Sequence, residues 1–287
     1  MPKATRVNSS KLRSHKLTTA AASGRTATCS ASLVDRVVNG LHERADPQTK
    51  AWFTNYVKGS SWIGCKLPTV RAVVKSEVPN NISSDALLNS CVTLLQNEAC
   101  DAKLAGILLV SEVLPVDGDV ALSHCILDRL EADILPHHIT NWCTADGVAT
   151  KVLQRLALTA GSEGNHSVAM RILDFSRHGT NLWYRRCGIV SFVNYYKHRA
   201  KLPADIGTRL IQAAEYSLLA SPEERFTQTG IAWVLRYALL EPEDRDATLA
   251  MIVRHGDLWT VEAKKSLMEK LHKSDPKRTQ ILALGKS

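Results

Sequence analysis

Between residues 142 and 236 a tryptophan lies three or four residues before a charged side chain three times: Trp142 and Asp146, Trp183 and Arg186, Trp233 and Arg236. A lone carboxylate can stabilise positive charge that develops on a reacting sugar. A tryptophan beside an arginine suits a sugar–phosphate backbone, with the ring on the sugar and the guanidinium on the phosphate. Each stretch also has a purely structural reading. Asp146 falls in the first turn if Thr144 is the cap, where the helix dipole favours an acid whatever its use. Arg186 shares an apolar stripe with Ile189, Val190 and Val193. It must either snorkel to water from a helix end or meet a phosphate or carboxylate. Trp142 and Trp233 could equally be core anchors, with Arg236 in water. The residue types alone leave both readings of each stretch open.

The elements that would position these residues are helices. Apolar residues recur at helical spacing from about Leu33 onward, and no run of alternating β-branched residues is present, so the class is all-α. The spacing predicts helices at 31–43, 47–58, 67–77, 84–96, 100–114, 119–132, 145–158, 165–177, 182–198, 204–218, 223–239, 243–254 and 258–272. Breaks fall at Asp46-Pro47, Leu67-Pro68, Val78-Pro79, Pro115, Pro136, Gly161, Gly179, Pro203, Pro222 and Pro242. From about residue 84 helix pairs recur every ~35–40 residues, the period of HEAT-like repeats. The expected architecture is an α-solenoid formed by a single domain over residues 35–280. Such an array offers an extended concave face for a long ligand.

The 287 residues are 45% hydrophobic, enough for a sizeable core. The net charge of +8 is unevenly placed. Residues 1–34 carry six basic residues and no acid, leaving 30 basic against 28 acidic residues in the rest. This segment is rich in Ser, Thr and Ala. It is expected to be disordered, as a nucleic-acid-binding or nuclear-import tail or as an organelle transit peptide. Between Val152 and Lys201 the basic residues Arg155, Arg171, Arg177, Arg185, Arg186, Lys197, Arg199 and Lys201 face only Glu163 and Asp174. A local excess of this kind is the footprint of a polyanion partner, or else a solvated face.

Seven cysteines form no CxxC pair and mostly sit in apolar helical patterns, which fits reduced thiols inside a cell. The expected location is the nucleus, or a mitochondrion or plastid. His and Cys show no metal-ligand spacing, so no metal is expected. The longest near-apolar run, around 104–110, is too short for a membrane span.

Four pieces, in order, resemble the AlkD-like DNA alkylation repair family of HEAT-like repeat glycosylases. They are Tyr56-Val57-Lys58 followed by Ile63-Gly64-Cys65-Lys66-Leu67-Pro68 and Arg71; Trp142-x-x-x-Asp146; Asn181-Leu182-Trp183-x-x-Arg186-x-x-Ile189; and Ile231-Ala232-Trp233-Val234-Leu235-Arg236. The resemblance covers about residues 45–275. It implies a catalytic carboxylate at Asp146, with Trp142 and Trp233 lining a cleft against the lesion-bearing nucleotide. It also implies an Arg186 contact to DNA and Tyr56 near the lesion; Arg185 and Arg236 are further candidate contacts.

The activity implied is excision of N3- and N7-alkylated purines from duplex DNA by a monomer. No cofactor is used, and the base is not flipped out, unlike most enzymes that act on a base. No lysine stands in the matched site to form a Schiff base, so lyase activity is not implied. A non-catalytic protein that binds distorted or branched DNA is the alternative. Two positions depart from the family pattern: Cys143 where an acid is frequent, and Thr229 where a basic residue is frequent.

Overall fold

Helix starts follow the side chains able to cap them. Asp46, Ser83, Asp119, Asn141, Asn181, Glu224, Thr260 and Asp275 each accept a hydrogen bond from a backbone N–H two or three residues on. Proline occupies the first turn at Pro47, Pro68 and Pro276, where no intrahelical donor is lost.

The computed structural model describes residues 23–284 other than 117 and 163, with side chains from Leu33 onward. Most of the expected basic tail therefore lies outside the described residues. Among those described, fifteen α-helices follow in order. They are α1 Ser23–Glu43, α2 Pro47–Tyr56, α3 Leu67–Glu77, α4 Ser84–Gln96, α5 Cys100–Leu108, α6 Val120–Arg129, α7 Trp142–Gly147, α8 Gln154–Ser162, α9 Ser167–His178, α10 Leu182–Val190, α11 Ile206–Ala220, α12 Arg225–Ala238, α13 Arg245–Arg254, α14 Val261–Met268 and α15 Pro276–Ala283. α-Helix passes into π-helix at Leu109–Val113, Leu130–Ile134 and Val148–Leu153. The described residues contain no strand, only an isolated bridge between Ser61 and Ala99.

The fold is an all-α array of helical repeats. One layer is the series α5, α7, α10, α12, α14, each packed on the next. A second layer runs through α9, α11, α13 and α15, again each on the next. The main core extends from Leu33 to Ala238. A second cluster, from Ile211 to Ile281, binds the last repeats together.

Three expectations are corrected. The cap of α7 is Asn141, not Thr144, so Trp142 is the first helical residue instead of lying ahead of the cap. The predicted helix 182–198 ends at Val190, and Asn194 takes a left-handed φ of 61° before a short 3-10 helix, Tyr195–Lys201. Asparagine tolerates that conformation because its short side chain bonds locally. The last helix, α15, has the same Asp-Pro start as α2 and was not predicted.

Candidate active site

Asn141 and Asn181 cap α7 and α10, and Glu224 caps α12. Five residues beyond those caps stand Asp146, Arg186 and Thr229. Equivalent positions on successive packed helices fall side by side, so these three side chains form a row across three repeats. Arg186 is its centre. Its Nε donates to Asp146 Oδ1 at 2.7 Å and its Nη2 to Oδ2 at 3.0 Å. Its Nη1 donates to the carbonyl of Phe226 and, at 3.4 Å, to the hydroxyl of Thr229. Four of its five N–H donors are thereby engaged.

The side chain of Arg186 is only 6% exposed, so it does not snorkel to water, and the partner that resolves its place on the apolar stripe is a carboxylate. Such a pair survives burial because the bidentate fork offsets the loss of hydration. Gly230 makes the arrangement possible: a Cβ there would lie 2.7 Å from Arg186 Nη1.

Asp146 keeps 17% of its side chain exposed. It sits in the second turn of α7, so the helix-dipole account of a first-turn acid no longer explains its choice. Trp142, one turn earlier, is on the same helix face. The Tyr56 ring meets Trp142 edge-on, with centroids 5.3 Å apart. Tyr56 itself is exposed and stacked on Trp52 at 4.7 Å. Tyr56, Trp142, Asp146, Arg186 and Thr229 thus share one neighbourhood. Trp233 lies one turn beyond Thr229 on α12 and packs half-buried against the core.

The other two candidates do not face Asp146. Arg185 donates to the Gly179 carbonyl and, at 3.5 Å, to the Ser221 hydroxyl. Arg236 pairs with Glu269, its guanidinium 5.9 Å from the Trp233 ring and 5.1 Å from the Tyr237 ring. Its side chain is largely buried, so of the two readings left open the one that puts it in water does not hold.

The local charge excess of residues 152–201 is partly cancelled in space. Arg171 pairs with Asp128 and Glu131, and Arg199 with Glu241, Glu243 and Asp244. Arg186 joins them through Asp146.

One contributor was missed in the sequence. Asp101, fully buried, accepts N–H bonds from Ile63 at 2.7 Å, Gly64 at 3.4 Å and Cys65 at 2.7 Å. Gly64 has φ +118°, which lets these consecutive amides turn toward one carboxylate. This nest fixes the loop that follows α2. Cys143 stands three residues before Asp146, and burial pushes its thiol up to about 12, so it is a neutral neighbour of Asp146. Among the described residues no three His, Cys, Asp or Glu side chains gather as a metal site. No described helix is long and apolar enough to cross a membrane.

The model of the family described as DNA alkylation repair enzyme matches residues 37–271, and the chain belongs to that family. The match contains all seven residues singled out from the sequence. No curated protein matches the chain.

Proposed function

We propose that the chain is a monofunctional DNA glycosylase that hydrolyses the N-glycosidic bond of N3- and N7-alkylated purines in duplex DNA. The observation that carries this reading is Asp146, partly exposed one helical turn from Trp142 and gripped by Arg186. An N3- or N7-alkylpurine is cationic and leaves without protonation. The C1′–N bond breaks with its electron pair passing to the base, and positive charge appears on the deoxyribose. The Asp146 carboxylate opposes that charge at a fixed distance, because Arg186 has already oriented it. A water then adds to C1′, giving its proton to the carboxylate and on to solvent. Trp142 offers a ring face to the cationic base or to sugar C–H groups. One carboxylate suffices, so the lack of an acid/base pair fits this chemistry.

The test is release of 7-methylguanine from duplex DNA by purified protein, with Asp146→Asn alongside. Release by the parent and its loss in a folded variant is the expected result. Full release by Asp146→Asn would reject the mechanism. Salt-sensitive duplex binding without release in either would favour a non-catalytic DNA binder.

A further inference from the structure

A cleft of about 340 Å³ opens between the turn after α2, the start of α5 and the segment entering α7. Lys103 lies in its wall and is 5% exposed. Its ammonium donates to the carbonyl of His138, and it forms no ion pair among the described residues. An ammonium has three donors, and here one is spent. A buried charge with no counter-charge is costly, and burial draws the Lys103 pKa down. An anion in the cleft removes that cost.

The rest of the wall supplies hydrogen-bond donors. Ser61 and Thr140 contribute hydroxyls, while that of Ser60 is engaged with Cys100. Asn97 contributes its amide NH₂, since its Oδ1 already accepts from Ala99 N. The single acid in the wall is Glu98, which is exposed.

We propose that this cleft is a phosphate site that holds one phosphodiester of the DNA backbone, with Lys103 as its cation. Its position selects the source of the phosphate. Asn141 in the wall is followed at once by Trp142, and Ser60 lies four residues beyond Tyr56. A phosphate held there therefore flanks the nucleotide that meets Trp142 and Tyr56. The assignment rests on the reading of this chain as a duplex-DNA binder.

The experiment measures affinity of the full chain for an unmodified duplex between 50 and 200 mM salt. Loss of one phosphate contact makes the slope of log K against log salt shallower by about 0.9. Lys103→Met should show that change, and Lys103→Arg should keep the parent slope. Thr140→Glu puts a carboxylate at an exposed position of the wall; it should weaken binding with melting unchanged, and it decides the matter if Lys103→Met does not fold. A folded Lys103→Met with the parent slope, or a Thr140→Glu that binds like the parent, overturns the proposal. So does an unchanged duplex slope with inorganic phosphate raising the Tm of the parent but not of Lys103→Met, for the cleft would then serve free phosphate.

Base release from the 7-methylguanine duplex is followed in parallel. An inactive parent whose slope still depends on Lys103 keeps the cleft and rejects the glycosylase. An active parent with an indifferent slope rejects the cleft alone.

Discussion

Asp146 and Asp244 are both carboxylates held by an arginine from a neighbouring part of the array, and they are built to opposite ends. Asp244 accepts the hydroxyl of Tyr195 and faces Arg199 at 3.2 Å. It is only 5% exposed, and Glu241 and Glu243 share its arginine. Arg199 Nη2 also donates to its Oδ1 at 3.5 Å, and burial with the Tyr195–Asp244 hydrogen bond raises the pKa of the Tyr195 phenol. Asp146 has one partner side chain, Arg186, bound to one edge of the carboxylate. Each oxygen keeps further acceptor capacity, and part of the group is exposed. An arginine–aspartate pair is therefore not itself a sign of function. Exposure at an opening, 17% of the Asp146 side chain against 6% for Asp244, is what separates the carboxylate proposed to act from the rivet.

The sharpest way to break this contrast is the same substitution at both sites. Asp146→Asn should lower base release by about 1,000-fold, equivalent to about 4 kcal/mol of transition-state stabilisation. Asp244→Asn should leave release per folded molecule unchanged, measured as single-turnover rates. If both variants lose release equally, the distinction fails.

Stability should show the reverse order. Asp244→Ala leaves Arg199 and Tyr195 facing an empty position and should cost about 3 kcal/mol, lowering Tm by roughly 6–12 °C in a calorimetric scan. Gly230→Ala sharpens the Asp146 side without touching the carboxylate. Its Cβ would push Arg186 Nη1, and the freed carboxylate should lose about tenfold in base release, or about 1.4 kcal/mol. A rate equal to the parent would mean that the guanidinium yields without disturbing Asp146.

The half-open pair Arg71–Glu112, at 2.8 Å, marks the low end of the scale. Its hydrogen bond to Arg71 holds the Glu112 carboxyl below the usual glutamate range. The stabilisation is thus fully present above the ordinary glutamate pKa and is lost as pH falls through the lowered folded-state value. Glu112→Gln should cost under about 1 kcal/mol at neutral pH, and its denaturation midpoint should converge with the parent's in acid.

Much of the helix pattern was legible because its signals are local. Asp46-Pro47 and Leu67-Pro68 mark starts by chemistry that acts within one turn. The same signal stands at Asp275-Pro276, where it opens α15 after the preceding apolar pattern has ended. Asn141 and Thr144 are both capable caps three residues apart. The apolar stripe begins late, which favoured the wrong one; the amide of Thr144 in fact donates to Asn141.

The site was legible as residue types and not as a constellation. Asp146 and Arg186 are 40 residues apart and meet because each stands five places after an asparagine cap. That coincidence is readable in the sequence once the caps are placed correctly. Charge counting along the chain could not find the partners of Arg171 or Arg236, since their acids lie on neighbouring repeats. Asp101 carried no motif of its own; only the convergence of three amides upon it reveals its role.

The row of fifth positions has a consequence for how such a site could arise. Copying a repeat copies the helix and its cap, but the copy brings whatever side chain its parent had at that place. Here the carboxylate, the guanidinium and the hydroxyl come one from each of three adjacent units. No single duplication can transmit the site, and no single unit can be swapped out without dismantling it. Invention had to proceed by divergence at one recurring address, while the units around it stayed alike enough to stack.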